Sequence, residues 1–175
     1  MLQHRRRRKE HRPSPGEPPG SLSPAPHAHP TRLHLVAFDK DRLIQQQSES
    51  VTEIEERARG VAKVWIDVEG LRDVETIRAL GQRYDLHPLT LEDIVQVVQR
   101  PKVDVYEGYL FVVLRLPRLG NGLLTEQVAI VLGGDFVLTF GERTIECFEA
   151  VRRRLTHSHS RMRSRGVDYL AYALI

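Results

Sequence analysis

The stretch GYLFVVLRL, residues 108–116, decides the fold class of this chain. Along an extended strand, alternate side chains face opposite sides of the sheet, and here both sets are apolar. The two sets are Leu110, Val112 and Leu114 on one side and Tyr109, Phe111 and Val113 on the other. A strand with two apolar faces is covered on both sides, which predicts a central strand in a sheet sandwiched between helices.

Other strand-like segments flank this one and supply the rest of the predicted sheet. They are LHLVAF (33–38), AKVWIDV (62–68), KVDVYE (102–107), TEQVAIVL (125–132) and FVLTF (136–140). The segments LGNG (119–122) and Gly133-Gly134-Asp135 lie between strands and have the composition of tight turns. Trp65, within the second segment, is predicted to lie in the core.

Helical patterns alternate with these strands. We predict helices at 51–59 with Thr52 as N-cap, after Asp73 as N-cap, from Pro88 onward, at 145–155 and at 167–175. Cys147 falls at an apolar position of the fourth helix, so we expect it to be packed. The fold class is therefore α/β, with a mixed β-sheet sandwiched between helices.

The N-terminal segment differs in composition from the rest of the chain. Residues 1–32 are rich in Arg and Pro and poor in apolar residues, which predicts a disordered tail followed by one domain at 33–175. Residues 1–34 contain seven Lys or Arg and two acids, a net charge of +5, whereas the remainder has a net charge of −2. The domain itself has no basic excess for binding phosphates, so we expect no nucleic-acid partner for it.

Several functional classes are disfavoured by the motifs and residues that the sequence lacks. No nucleophile–base motif, phosphate-binding loop or complete set of metal ligands is recognisable, so we predict that the chain is not an enzyme. The single Cys excludes a disulfide framework, and no apolar run is long enough to span a bilayer. The pairs His27/His29 and His157/His159 each lack a third ligand nearby, which disfavours a metal site.

One helix carries two adjacent acids. In the stretch HPLTLEDIVQVVQRPKVD, residues 87–104, Glu92 and Asp93 are flanked by Gln96 and Gln99 rather than by Lys or Arg. Carboxylate and amide oxygens are the ligands that hard divalent cations prefer. The alternative interpretation is a charge pair near the helix N-terminus, where the helix dipole favours acids. The spacing by itself favours this alternative.

The last predicted helix reaches Ile175 within an apolar run and without a C-terminal cap. We therefore expect the helix to be cut short at residue 175 and the chain to be the front part of a longer protein.

The chain resembles the cytoplasmic domain of CorA magnesium/cobalt transporters. The resemblance rests on WIDVEG (65–70), LHPLTLEDI (86–94), QRPKVDVYEGYLFVVL (99–114), TEQVAIVLG (125–133), FVLTF (136–140) and RGVDYLAYALI (165–175). These segments match in order and spacing from Trp65 to Ile175, whereas residues 1–32 show no resemblance.

The resemblance implies a function and a site. Members are homopentamers with a long stalk helix and two membrane helices after this domain, and regulatory Mg²⁺ binds between neighbouring domains and holds the channel closed. By this resemblance Asp93 is a regulatory metal ligand and Glu92 belongs to a second, weaker site, with partner acids on the neighbour's stalk. Some members have a His at the position of Val98 here, which weakens the assignment of Glu92.

The expected function is thus a metal-sensing domain at the cytoplasmic face of the inner membrane, attached through segments outside this chain, with the chain alone soluble. Mg²⁺ is the expected ion and Co²⁺ an alternative. Two other interpretations stay open: a domain of the zinc-transporting branch of the same family, and a stand-alone soluble α/β protein with a nucleic-acid-binding basic tail.

Overall fold

A seven-stranded sheet organises the part of the chain that the structure describes. The structure is a computed structural model and describes residues 21–25, 27–120, 122–157 and 160–175. The strands are β1 (Arg32–Phe38), β2 (Leu43–Ser48), β3 (Lys63–Glu69), β4 (Lys102–Tyr106), β5 (Tyr109–Gly120), β6 (Gly122–Leu132) and β7 (Phe136–Gly141). Their order across the sheet is β2-β1-β3-β7-β6-β5-β4.

The sheet is mixed because one pair of central neighbours runs in parallel. Strands β3 and β7 pair in parallel, with Asp67 opposite Thr139, while all the other neighbours are antiparallel. The parallel pair is joined through a long excursion that contains two helices and the hairpins of β4, β5 and β6. This connection places residues distant in sequence side by side at the centre of the sheet.

Helices cover both faces of the sheet. They are α1 (Val51–Ala58), α2 (Val74–Arg83), α3 (Pro88–Val95), α4 (Glu146–Thr156), α5 (Arg161–Ser164) and α6 (Val167–Leu174). Helices α1, α2 and α3 contribute to one buried apolar cluster, and α4, α5 and α6 contribute to the other. The predicted α/β fold with a sheet sandwiched between helices is confirmed.

Strand β5 has the two covered faces that its sequence predicts. Tyr109, Phe111 and Val113 belong to the cluster under α1–α3, whereas Val112 belongs to the cluster under α4 and α6. The tight turn at Gly133 is also confirmed, because its amide donates to the carbonyl oxygen of Phe136 at 2.9 Å. Trp65 is fully buried, as predicted.

For three helices the sequence predicts a specific start residue, and two of these residues are confirmed. Asp73 caps α2 by accepting from the amides of Glu75 and Thr76, and Pro88 occupies the first turn of α3. The prediction of Thr52 as the N-cap of α1 was wrong, because the cap is Ser50, whose side chain accepts from the amide of Glu53. Ser50 and Thr52 both carry a hydroxyl group that could cap the helix, so residue type alone does not distinguish them.

Three further features differ from the predictions. Cys147 is exposed rather than packed. The buried face of α4 consists of Phe148, Val151 and Leu155, and Cys147 lies outside this face. Strand β2 was not predicted, since its sequence LIQQQS is polar and lies at the sheet edge. The short helix α5 was also missed.

The N-terminal segment contacts the domain before β1 begins. Most of the predicted tail, residues 1–20 and Pro26, lies outside the described residues. Within the remainder, the Ala28 carbonyl oxygen accepts from Arg72 Nε at 2.8 Å, and Thr31 Oγ1 accepts from the amide of Asp73 at 2.9 Å. Leu22 packs against the core under α1–α3, so packed structure begins before Leu33.

Candidate metal-binding site

Helix α3 carries both predicted ligands and is held firmly at its start. His87 Nδ1 accepts from the amide of Leu89 at 3.2 Å, and the His87 amide donates to the hydroxyl of Tyr109 at 3.0 Å. The Thr90 hydroxyl lies 2.8 Å from the same Tyr109 oxygen in a buried contact. Since β5 supplies Tyr109, the position of the helix is set by the sheet.

The acids lie toward the end of α3, not at its start. The apolar residues Leu91, Ile94 and Val95 face the core, which leaves Glu92 and Asp93 half-buried on the outer side. The first turn of α3 contains no acid. A helix dipole favours acids only near the N-terminus, so the alternative interpretation of Glu92 and Asp93 as an N-terminal charge pair is wrong.

A lysine from the neighbouring strand neutralises Asp93. Lys102 Nζ lies 2.6 Å from Asp93 Oδ2 and 2.7 Å from Asp104 Oδ2, so one ammonium bridges two carboxylates. The prediction of an acidic pair without basic neighbours was therefore wrong for Asp93. The sequence indicated only the second pair, because Lys102 and Asp104 are two residues apart on β4 and so share one face.

The ammonium is held in its charged form. Partial burial of Lys102 disfavours the charge, but the hydrogen bonds to Asp104 and Asp93 outweigh it, and the pKa of Lys102 is raised above its usual value. Lys102 Nζ also lies 5.6 Å from the ring centroid of Phe111, which adds a cation–π contact. The three side chains Asp93, Lys102 and Asp104, here called the Lys102 bridge, thus form one ion-pair network.

A buried glutamine fixes the backbone of this surface. Gln127 on β6 donates through Nε2 to the carbonyl oxygen of Asp93 at 2.9 Å and accepts at Oε1 from the amide of Gln99 at 3.0 Å. The same segment is tied to β5 because Arg115 donates to the carbonyl oxygen of Val97 at 2.9 Å. Sequence reasoning missed Gln127, since nothing local to it indicates a partner 34 residues away.

Glu92 has a more local environment. Its Oε1 accepts from Gln96 Nε2 at 2.9 Å, as the predicted polar stripe requires. Gln99 is not part of the polar stripe, because α3 ends at Val95 with Gln96 as its C-cap and Gln99 lies beyond the helix.

The chemistry of these donors fits a hard divalent cation. The carboxylates of Asp93 and Asp104 are oxygen ligands of the kind that Mg²⁺ binds, and the structure already holds a positive charge between them. Among the described residues, no group of three or more His, Cys, Asp or Glu side chains is placed to hold a metal ion. His27, His29 and His157 are exposed, and His159 lies outside the described residues.

Comparison with known proteins identifies the family. The model of the family described as "CorA-like Mg2+ transporter protein" matches residues 62–175. The chain belongs to this family. Over 114 residues it is 37% identical to the cobalt/magnesium transport protein CorA of Thermotoga maritima, and the alignment covers 63% of this chain and 32% of that protein. The chain therefore spans about a third of the length of this CorA relative.

Two solved structures share the fold of the chain. The soluble domain of CorA from Methanocaldococcus jannaschii matches with a TM-score of 0.61 at 14% identity, over 81% of this chain and 53% of that one. The ZntB cytoplasmic domain from Vibrio parahaemolyticus matches with a TM-score of 0.50 at 12% identity, over 73% and 51%.

The resemblance to CorA transporters is thus confirmed, and so is the prediction that the chain is not an enzyme, because its CorA-like relatives carry transporter names. Within the described ranges, no helix combines the length and apolar character needed to cross a bilayer.

Proposed function

We propose that this chain is the cytoplasmic metal-sensing domain of a CorA-like divalent cation transporter that Mg²⁺ bound between neighbouring subunits holds closed. In this proposal the assembled protein is a homopentamer at the inner membrane, anchored through segments outside this chain. Asp93 is the principal regulatory ligand, Glu92 a weaker one, and Co²⁺ an alternative ion. Family membership supports the transporter assignment, and the Lys102 bridge supports the choice of surface.

The observation that carries the proposal is the Lys102 bridge itself. Two carboxylates, Asp93 on α3 and Asp104 on β4, share one ammonium at 2.6 and 2.7 Å. In the metal-bound state, Asp93 exchanges this ammonium for a divalent cation that it shares with an acid of the adjacent subunit. Lys102 is then an internal competitor, which sets a threshold below which the carboxylates keep their own counter-ion.

Competition of this kind is consistent with a sensor of abundant Mg²⁺. Mg²⁺ gives up its water reluctantly and binds most protein sites through one or two carboxylates. At a concentration equal to its dissociation constant, a ligand stabilises the bound state by only about 0.4 kcal/mol per site. Several equivalent sites must therefore act on one closed assembly, as five subunits would provide.

The proposal is tested by substitution of Asp93 in the complete transporter. We expect Asp93→Ala to raise the Mg²⁺ concentration needed to protect the cytoplasmic domain from protease, because one ligand is lost. Asp93→Lys should give protection that depends less on Mg²⁺, since its ammonium can pair with the neighbouring subunit's acid. Asp41→Ala, which changes an exposed acid in the turn after β1, is the matched control. Equal Mg²⁺ midpoints in all four proteins would exclude Asp93 as a regulatory ligand.

A second candidate is a domain of the zinc-transporting branch. The fold match to the ZntB cytoplasmic domain supports it. The same protection assay with Mg²⁺, Co²⁺ and Zn²⁺ separates the two. Protection by Zn²⁺ at concentrations far below those required for Mg²⁺ would favour the zinc branch.

A further inference from the structure

A second charged cluster lies on the opposite face of the sheet from α3. Its centre is Asp67 on β3, which is 1% exposed and is two residues from Trp65 on the face of the sheet that α4 covers. Thr139 on β7 donates its hydroxyl to Asp67 Oδ1 at 2.6 Å, and Trp65 Nε1 donates to Thr139 Oγ1 at 3.0 Å. The Arg152 guanidinium on α4 pairs with Asp67 Oδ2.

Charged and titratable side chains from β1, β3 and α4 surround Asp67. His34 lies opposite it on β1, Glu69 follows it on β3, and α4 presents Arg152 and Glu149. The Thr144 hydroxyl donates to Glu69 Oε2 at 2.9 Å, and His34 Nε2 lies 3.3 Å from the same oxygen.

Burial and pairing act on the Asp67 carboxyl group in opposite directions. Burial disfavours the charged form and raises the pKa of Asp67 to about 6, although the Thr139 hydrogen bond and the Arg152 charge lower it. Asp67 therefore changes charge in a range in which ordinary aspartates stay ionised.

Arg152 has alternative acceptors and room to reach them. One guanidinium nitrogen already lies 3.9 Å from Glu69 Oε1, and another lies 3.5 Å from Glu149 Oε2. Arg152 also lines a cavity of about 300 Å³ between α4 and strands β1 and β2, together with His34, Gln47 and Thr156. The buried Arg152 Nε has no hydrogen-bond partner among the described residues, so the present pairing does not satisfy the whole guanidinium.

We propose that Asp67 is a proton-binding site whose protonation transfers Arg152 from Asp67 to Glu69 and to Glu149, which lines this cavity. The proton comes from solvent, and the carboxyl group changes from −1 to neutral while Arg152 keeps its charge. The Thr139 hydroxyl can accept as well as donate, so the neutral carboxyl group keeps a partner. Helix α4 is thereby tied to the sheet through different contacts in the two states.

The chain contains its own reporter of this exchange. Trp65 is the single tryptophan, and the Arg152 guanidinium carbon lies 5.2 Å from its ring centroid. Departure of Arg152 changes the charge next to the indole, so Trp65 emission should report the protonation of Asp67. We expect a one-proton transition centred near pH 6 in the folded 175-residue chain.

The test compares Trp65 emission from about pH 4.5 to about pH 8 in three proteins, because histidine also titrates in this range. Asp67→Asn should abolish the transition, whereas His34→Gln, which removes the other titratable group facing Asp67 from β1, should retain it. The proposal is overturned if the wild type shows no transition, if Asp67→Asn retains it, or if His34→Gln loses it.

A third variant, Thr139→Val, tests the assignment to Asp67 even if Asp67→Asn fails to fold. Thr139→Val preserves side-chain shape but removes the donor that favours the charged carboxylate. It should move the midpoint to higher pH, and an unchanged or lower midpoint would contradict the assignment to Asp67.

Discussion

Replacement of Lys102 is the sharpest test of the cation-binding surface on α3. In the present structure its ammonium occupies the position between Asp93 and Asp104 that a divalent cation would have to take. Lys102→Gln removes the competing charge and leaves a polar side chain of similar length. We therefore expect this variant to bind Mg²⁺ more tightly than the wild type.

The expected change in Mg²⁺ affinity follows from the solvent exposure of the Lys102 bridge. The Lys102 side chain is 33% exposed, and those of Asp93 and Asp104 are 19% and 37% exposed, so solvent screens both pairs. Partly exposed pairs of this kind contribute about 0.5 kcal/mol each, or about 1 kcal/mol for the two. Loss of a competitor of this strength lowers the dissociation constant for Mg²⁺ by about fivefold.

The assay is a Mg²⁺ titration of the 175-residue chain, followed through the backbone amide resonances of residues 92–104. The wild type should bind weakly, since the proposed partner acid lies on another subunit. Lys40→Gln, a change of an exposed lysine in the turn after β1, controls for net charge and should leave the affinity unchanged. The double variant Lys102→Gln/Asp93→Asn should lose the increase in Mg²⁺ affinity that Lys102→Gln alone produces. Equal or weaker Mg²⁺ binding by Lys102→Gln would refute the competition between Lys102 and metal.

Three further predictions concern the domain itself. The pKa of Asp67 is raised in the folded state, so ionisation of Asp67 destabilises the fold as the pH rises. Relative to Asp67→Asn, the free energy of unfolding of the wild type should fall by on the order of 3 kcal/mol between about pH 4 and about pH 7, as measured by urea titration. Gly70→Ala should destabilise the fold by at least about 2 kcal/mol in the same assay, because Gly70 has φ of +78° and an added Cβ would overlap the carbonyl oxygen of Pro30. Cys147 should react with a thiol reagent in the native chain as fast as in urea, and slow native labelling would contradict its exposure.

The sequence predicted the elements that have a regular pattern of apolar residues or a characteristic start residue. The two apolar faces of β5 require cover on both sides, and Asp73 and Pro88 mark helix starts through their own backbone chemistry. Where the pattern was weak, prediction failed. Strand β2 is a polar edge strand whose Gln45 and Gln47 are exposed, so it has no apolar alternation to detect.

The candidate site was predicted only in part for a related reason. The position of Asp93 on α3 followed from helical spacing, and its role as a ligand followed from resemblance to CorA transporters. Its charge environment did not follow, since Lys102 lies on a different element, nine residues away, and reaches Asp93 only because β4 joins the edge of the sheet. The end of α3 at Val95, which removes Gln99 from the polar stripe, likewise depends on contacts beyond the helix.

The sequence by itself determined the layered α/β architecture and the family, because periodicity and motif spacing are properties of neighbouring residues. The tertiary structure alone decided which charges meet. Asp67 contacts Thr139 and Arg152 across 72 and 85 residues, and Lys102 bridges two acids that belong to different elements. Electrostatic energies depend on distance and burial in space rather than on separation along the chain, so the protonation and ion-pairing of these groups are set by the packed fold.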